Sequence, residues 1–326
     1  MSAMTVRRVR VADDVELDVH ESGSPGDPVV MLLHGFPESS HSWRHQMQPL
    51  AAAGYHVLAP DQRGYGRSSA PREVGAYAGK LLADDVCALL DEVGAEQGLI
   101  VGHDWGAFLA WHLGATRPER CRAVLGASVP YNQWPAKPTD VFRFLYADRF
   151  FYILYFQEPD VAEAEFDADP ERFLRSIIWA AAGDSAGYRL VSELPMAGTT
   201  MVQSIDTALG RAPEGLPPWL PQAAFDVFVD QFRASGFFGP VSWYRNLDAN
   251  YDETKELGPE RFTMPTAFIG GELDPVIAGR MEAVEAMAST LPHFAGSAIV
   301  PGAGHWVQQE APEAFNDALL SFLTRF

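Results

Sequence analysis

A chain of 326 residues that is 47% hydrophobic holds enough apolar material for one large domain or two modest ones, with a sizeable core. Its formal net charge of −19 argues against a phosphate backbone or an anionic membrane surface as partner, so neither nucleic acid nor membrane is expected. Two cysteines, Cys87 and Cys121, exclude a disulfide framework and read as buried or idle thiols.

The opening stretch MSAMTVRRVRVADDVELDV alternates like a strand and has no apolar core of signal-peptide length behind its basic residues. No apolar run is long enough to span a bilayer, and a cytoplasmic protein is expected. Short apolar runs then alternate with helical spacing. Strands are predicted at 29–33, 56–59, 99–101, 123–126, 266–269 and 297–300. Leu82, Val86, Leu89, Leu90 and Val93 fall at helical spacing, 107–116 is helical, and Phe315 to Leu323 close the chain with Pro312 suited to a first turn. This order implies an α/β fold: a mostly parallel central sheet with helices on both faces. From about 132 to 250 the strand pattern stops, and the segment is aromatic and helical, with a break at 210–218. The chain is therefore divided into a first core part at 1–131, an inserted helical cap at 132–250 and a second core part at 251–326.

Gly102-His103-Asp104-Trp105-Gly106-Ala107 follows a predicted strand and opens a predicted helix. That is the context of a nucleophile elbow, where small residues let strand and helix approach and the apex side chain projects into a pocket. A bare G-x-D-x-G would equally read as a helix cap. Here the apex is Asp104. A carboxylate attacking an ester or amide carbonyl would form an anhydride and gain little, whereas attack on saturated carbon forms an ordinary ester that water can hydrolyse. The substrate is therefore expected to carry a leaving group on sp3 carbon, as an epoxide or an alkyl halide does.

Hydrolysis of such an ester needs a general base. His305, in Pro301-Gly302-Ala303-Gly304-His305-Trp306 between the last strand and the last helix, is placed to reach the elbow. Asp274 follows the strand at 266–269 and is the candidate to orient that imidazole, with Glu272 as competitor. The order Asp104, Asp274, His305 is the nucleophile–acid–base order of this kind of fold. His34-Gly35-Phe36-Pro37 follows the strand at 29–33, and the backbone N–H groups of Phe36 and Trp105 are the candidate oxyanion hole.

With these residues the chain resembles the soluble epoxide hydrolases of the α/β-hydrolase superfamily, over nearly its whole length. The likeness is densest in His34-Gly35-Phe36-Pro37-Glu38-Ser39, in Asp61-Gln62-Arg63-Gly64-Tyr65-Gly66-Arg67-Ser68 and in Gly102-His103-Asp104-Trp105-Gly106. The resemblance implies two cap tyrosines that donate hydrogen bonds to the epoxide oxygen; by position these are Tyr152 and Tyr244. Tyr146, Tyr155, Tyr188 and Tyr251 also lie in or beside the insertion, and Tyr155 shares a helix face with Tyr152. Trp105, Phe36 and Pro37 are the expected substrate contacts. The expected partners are a small apolar epoxide and water, with a role in detoxification, and a homodimer is left open by the resemblance.

A dehalogenase is the alternative on the same nucleophile. It needs N–H donors for the halide; Trp105 offers one, but Phe36 stands where such enzymes carry Asn or Trp. Fluoroacetate-type dehalogenases carry Arg after the nucleophile, where this chain has Trp105. A non-catalytic ligand-binding homologue is the alternative from another class, since fold alone does not fix function. His41 and His45 are four apart without a His-Glu-x-x-His pattern, and 61–68 lacks a phosphate-loop lysine, so neither a metal nor a cofactor is indicated.

Overall fold

The computed structural model describes residues 4–185, 191–210, 213–278 and 280–326. Tyr188 and residues 211 and 212 of the break at 210–218 lie outside them. The chain opens with β1 (Thr5–Ala12) and β2 (Val15–Ser22), an antiparallel hairpin paired from Thr5↔Glu21 to Ala12↔Val15. It then alternates through β3 (Val29–Leu33), α1 (Met47–Ala52), β4 (His56–Pro60), α2 (Gly79–Glu92), β5 (Gly98–His103), α3 (Trp105–Thr116) and β6 (Cys121–Ala127).

Between β6 and the next strand of the main sheet lie eight α-helices among the described residues. They are α4 (Pro138–Tyr146), α5 (Tyr152–Tyr155), α6 (Val161–Ala168), α7 (Pro170–Ala181), α8 (Met201–Leu209), α9 (Gln222–Ser235), α10 (Phe238–Arg245) and α11 (Leu247–Thr254). The segment is not wholly helical: β7 (Arg149–Phe151) pairs antiparallel with β8 (Val191–Pro195). The absence of strands expected there is thus corrected; a three-residue strand is too short to show a period of two. Helix α11 runs across position 250. The core resumes with β9 (Thr266–Gly271), α12 (Met281–Thr290), β10 (Phe294–Val300), α13 (Val307–Glu310) and α14 (Pro312–Leu323).

The eight-stranded sheet has the order β1-β2-β4-β3-β5-β6-β9-β10, antiparallel at β1, β2 and β4 and parallel from β4 onward. Strands β3, β4, β5 and β9 are buried at every residue, because helices cover both faces; this is why they read as unbroken apolar runs. Alternate residues serve opposite layers. Val30 and Leu32 of β3 pack with Leu50 of α1 and Phe315, Leu319 and Phe322 of α14. Met31 and Leu33 join the opposite core with Leu82, Val86 and Leu89 of α2 and Leu109 and Leu113 of α3. In parallel sheets of this kind ligands bind beyond the carboxyl ends of the strands. Those ends deliver Gly35 and Phe36 after β3, Asp104 after β5, Asp274 after β9 and His305 after β10 to one region.

Candidate active site

Asp104 stands between the end of β5 and the first turn of α3 with φ 53° and ψ −115°. L-residues other than glycine rarely adopt positive φ, and such strain is held in place only by its surroundings. Here the surroundings are close backbones. A Cβ on Gly102 would lie 2.0 Å from the Gly106 carbonyl oxygen, and one on Gly106 would lie 2.0 Å from that of Leu33. Glycine at both positions lets α3 press onto β3 and β5 and turns the Asp104 side chain outward.

The carboxylate meets two partners. The Phe36 N–H donates to Oδ1 at 2.8 Å, and Nε2 of His305 lies 3.6 Å from Oδ2. On its other side the His305 imidazole faces Asp274, with Nδ1 at 3.1 and 3.2 Å from the two carboxylate oxygens. Asp274 is fully buried and also accepts the Val276 N–H at 2.8 Å. The three residues thus form a line in which one imidazole touches both carboxylates. Glu272 points elsewhere, accepting the Gly302 N–H at 3.0 Å.

Burial alone would raise the Asp104 carboxyl, but His305 and the Phe36 N–H outweigh it and hold Asp104 below the usual carboxylate range. For His305 burial works downward, yet Asp274 and Asp104 together raise it well above an ordinary histidine. The resting arrangement is therefore a carboxylate beside an imidazolium.

The loop that carries His305 is clamped from three sides. Its N–H donates to the Ala181 carbonyl at 2.8 Å, at the end of α7. Its carbonyl accepts His103 Nε2 at 2.7 Å and Ser128 Oγ at 2.9 Å. The carboxylate of Glu310 accepts the N–H groups of Gly304, Trp306 and Gly183 at 2.9, 3.0 and 2.9 Å. Glu38, His103 and Glu310 are site residues that sequence reading did not single out. They sit inside or beside quoted motifs, but no spacing marks a hydrogen bond between residues that are 65 apart, as Glu38 and His103 are.

Across from Asp104 opens a cavity of about 1270 Å3, lined among others by Trp105, Phe108, Tyr152 and Tyr244. Helix α10 holds Tyr244 there through its neighbours: Trp243 Nε1 donates to the Arg63 carbonyl at 3.2 Å, and buried Arg245 pairs with Glu163 and donates to the Phe156 carbonyl at 2.9 Å. The Tyr244 ring packs edge-on against Trp105 at 4.7 Å, Phe36 at 5.5 Å and Tyr152 at 5.9 Å. Burial first, then the charge on Asp104, raise the Tyr244 phenol well above its usual value, so it keeps its proton.

The other tyrosines are distributed differently. The Tyr155 hydroxyl donates to Glu165 at 2.7 Å, beside the start of α8, and is not a wall of the cavity. Tyr146 and Tyr251 line the cavity away from the elbow, the former stacked on Phe142 and tilted against Phe151. Of the expected substrate contacts, Trp105 is a wall, whereas Phe36 and Pro37 are not among the lining residues. They are buried behind it, Phe36 packing on Phe156, Phe173 and Tyr244. His34 supports this loop as a neutral imidazole: its Nδ1 meets the Gly35 carbonyl at 3.0 Å, and Nε2 accepts the Gln62 N–H at 3.0 Å. Burial lowers its pKa accordingly.

Comparison with known proteins matches residues 28–159 to the alpha/beta hydrolase fold family. Epoxide hydrolase A of Mycobacterium tuberculosis is 43% identical over 99% of this chain and 98% of its own length. Epoxide hydrolase B of the same organism is 38% identical over 92% of this chain and 93% of its own. The crystal structure of epoxide hydrolase A from Mycobacterium thermoresistibile superposes with a TM-score of 0.89 at 41% identity, covering 99% of this chain and 98% of that one. With an elbow whose apex is a carboxylate, and relatives of this name aligned from end to end, the chain belongs to the epoxide hydrolase family of the α/β-hydrolase fold.

Proposed function

We propose that the protein converts epoxides to vicinal diols through a covalent ester on Asp104. The observation that carries this reading is the position of the Asp104 carboxylate, held between the Phe36 N–H and His305 and facing a cavity whose lining includes Tyr152 and Tyr244. In the first step an Asp104 oxygen attacks an epoxide carbon, the C–O bond breaks, and Tyr152 and Tyr244 hydrogen-bond and protonate the departing oxygen. A phenol serves because the alkoxide is the stronger base. In the second step His305, which releases its proton to solvent once the ester has removed the Asp104 charge, takes a proton from water as the water oxygen attacks the Asp104 carboxyl carbon. Collapse of the tetrahedral adduct breaks the bond from that carbon to the substrate-bearing oxygen. His305 passes its proton to this leaving oxygen to complete the diol, and the second water proton restores the phenol. The N–H groups of Phe36 and Trp105 stabilise the charge on the carboxyl oxygen during that attack.

The electrostatics support the sequence of events. In the resting site His305 is held protonated by two carboxylates. Formation of the ester abolishes the charge on Asp104, leaves Asp274 as the one carboxylate in contact, and so lowers the affinity of His305 for its proton when a base is required. Asp274 orients the ring and stabilises the imidazolium that returns.

In this reading residues 132–250 form a cap that closes over the elbow and supplies both phenols. The partners are a small-molecule epoxide, largely apolar, and water. No helix among the described residues is long and apolar enough to cross a membrane; we place the protein in the cytoplasm.

The test is product analysis of the purified protein against aryl and alkyl epoxides and haloalkanes. Diol from epoxides without halide release is expected, and His305→Gln accumulates an adduct of the mass of the substrate on Asp104. Halide release without diol would instead identify a dehalogenase, and full activity in Asp104→Ala would overturn the covalent scheme.

A further inference from the structure

His305 stands on a loop, 301–306, that lies outside helix and strand, and two other segments press on it at backbone distance. A Cβ on Gly271, at the end of β9, would lie 2.1 Å from the Gly304 carbonyl oxygen. A Cβ on Gly304 would lie 2.2 Å from the Gly183 nitrogen, and one on Gly183 would lie 2.3 Å from the Gly302 carbonyl oxygen. Glycine at 183 and 304 therefore lets the chain just past α7 lie against the base loop. Two hydrogen bonds follow the same contact, from the His305 N–H to the Ala181 carbonyl at 2.8 Å and from Trp306 Nε1 to the Ile178 carbonyl at 2.9 Å. Ala180, Ala182 and Gly183 also line the cavity, so one wall of the cavity is in backbone contact with the loop that carries the base.

One side chain closes that contact. Glu310 stands at the end of α13. Its Oε2 accepts the N–H groups of Gly183 and Gly304, each at 2.9 Å, and its Oε1 accepts that of Trp306 at 3.0 Å. Gly304 and Trp306 flank His305 in the chain, whereas Gly183 belongs to the inserted segment. All three are buried, and buried N–H groups are ordinarily satisfied. A charged acceptor makes hydrogen bonds about twice as strong as a neutral one. The groups that open the ring are held elsewhere: Asp104 by the Phe36 N–H, and Tyr244 by neighbours that bond to the Arg63 and Phe156 carbonyls.

We propose that Glu310 is a positioning residue for ester hydrolysis: by accepting the N–H groups of Gly183, Gly304 and Trp306 it fastens the end of α7 to the His305 loop and so holds the imidazole in line between Asp274 and Asp104. The kinetic part of the inference rests on the covalent scheme on Asp104; the fastening of the loop does not.

The experiment uses Glu310→Gln, Glu310→Asp and Gly183→Ala. Glutamine keeps the shape, but whichever way the amide sits its NH2 faces an N–H group. Ester formation and ester hydrolysis are followed separately in single turnovers of an epoxide, per folded molecule counted by circular dichroism. In parallel the proton on His305 Nδ1, shared with Asp274, is followed by proton NMR in the enzyme without substrate. A displacement of the base near 1 Å costs on the order of 10²-fold in rate, so hydrolysis should fall between about tenfold and 10²-fold in Glu310→Gln while ester formation stays within about twofold. The Nδ1 proton signal should shift or broaden. Glu310→Asp, which keeps the carboxylate with a shorter reach, restores part of both. Gly183→Ala, which pushes the α7 segment off the loop and leaves the carboxylate in place, should repeat the slowing of hydrolysis and the change in signal; it carries the test if Glu310→Gln does not accumulate. A loss shared equally by the two steps, or an Nδ1 signal like that of wild type, overturns the assignment. Absence of any ester in wild type would count against the epoxide reading alone, since the Nδ1 signal still decides whether Glu310 holds the base.

Discussion

Nε2 of His103 donates to the backbone carbonyl of His305 at 2.7 Å, tying the end of β5 to the candidate base. The other ring nitrogen meets Glu38 Oε2 at 2.8 Å. Both residues are buried, and Glu38 also accepts Gln309 Nε2 at 2.6 Å and Gln308 Nε2 at 3.2 Å. A carbonyl oxygen only accepts, so Nε2 must carry a proton and the ring cannot turn without losing a bond. His305 is therefore aimed by its backbone as much as by Asp274. In His103→Ala the Glu38 carboxyl loses one of its partners and the His305 carbonyl loses a donor. Leaving a buried hydrogen-bonding group unsatisfied costs roughly 1–3 kcal/mol, and a loss of unfolding free energy of that order is expected in urea titration. Ester hydrolysis should slow as well, with ester formation less affected. A His103→Ala protein as stable as wild type would show that the network does not hold the loop.

The two chemical steps are expected to differ in pH dependence. Ester formation needs Asp104 ionised. Its pKa lies below the ordinary carboxylate range, so this step should stay constant through mildly acidic pH and fall only below that range. Ester hydrolysis needs His305 neutral. That step should rise with pH, with an apparent pKa lower than that of His305 in the free enzyme, because the ester no longer contributes the Asp104 charge. Single-turnover kinetics across roughly pH 5 to 9, following ester formation and decay separately, measure both limbs. A hydrolysis rate that falls with rising pH over that interval would contradict His305 as base.

Substitution of the tyrosines separates chemistry from packing. Tyr244→Phe keeps the ring that packs on Trp105 and Phe36, and Tyr152→Phe the ring that packs on Phe156 and Tyr244; each removes a proton donor and is expected to lower the rate of ring opening on the order of 10²-fold. Tyr155→Phe removes the hydrogen bond to Glu165 near the start of α8. It should cost about 1 kcal/mol of stability and leave ring opening unchanged. Rates from rapid quench and midpoints from thermal unfolding distinguish the two classes. A Tyr155→Phe enzyme impaired in chemistry, beside a normal Tyr152→Phe, would exchange the two assignments.

How far the sequence could be read depended on distance along the chain. The buried strands β3, β4, β5 and β9 are continuous apolar runs, and the elbow is a local pattern whose glycines are required by backbones 2.0 Å from a Cβ. Asp274 and His305 were legible because each follows a strand at its carboxyl end. The choice of Tyr152 over Tyr155 had no basis in spacing, since both fall on one short helix; a partner on another helix, Glu165, separates them in the structure. Phe36 and Pro37, expected to touch substrate, are buried in a loop whose Phe36 N–H reaches Asp104, and they are not among the residues lining the cavity. Glu38 and His103 left no signal, because a histidine and a glutamate in separate motifs become partners only when β3 and β5 pair in the sheet.

Two glycines near the elbow should fail for different reasons. A Cβ on Gly35 would lie 2.4 Å from both Cβ and Oδ1 of Asp104, so Gly35→Ala must displace the nucleophile itself. A displacement near 1 Å costs on the order of 10²-fold in rate; because the Asp104 Cβ moves only with its backbone, the Gly35 loop or the elbow must shift with it, so some loss of stability is expected beside the loss of rate. A Cβ on Gly106 would meet backbone, the Leu33 carbonyl oxygen at 2.0 Å, and relief requires α3 to move off β3. Gly106→Ala is therefore expected to lose stability by several kcal/mol, beyond the usual cost of overpacking of roughly 1–3 kcal/mol, and to accumulate poorly. Gly75→Ala, whose Cβ meets nothing within 4 Å, is the control and should match wild type in both respects. The discriminating measurement is ester formation per folded molecule, with folded protein counted from circular dichroism. A Gly35→Ala enzyme with a normal rate per folded molecule would mean that Asp104 accommodates the methyl group without leaving its attacking position, and the tight fit between the Gly35 loop and the carboxylate would then have no part in catalysis.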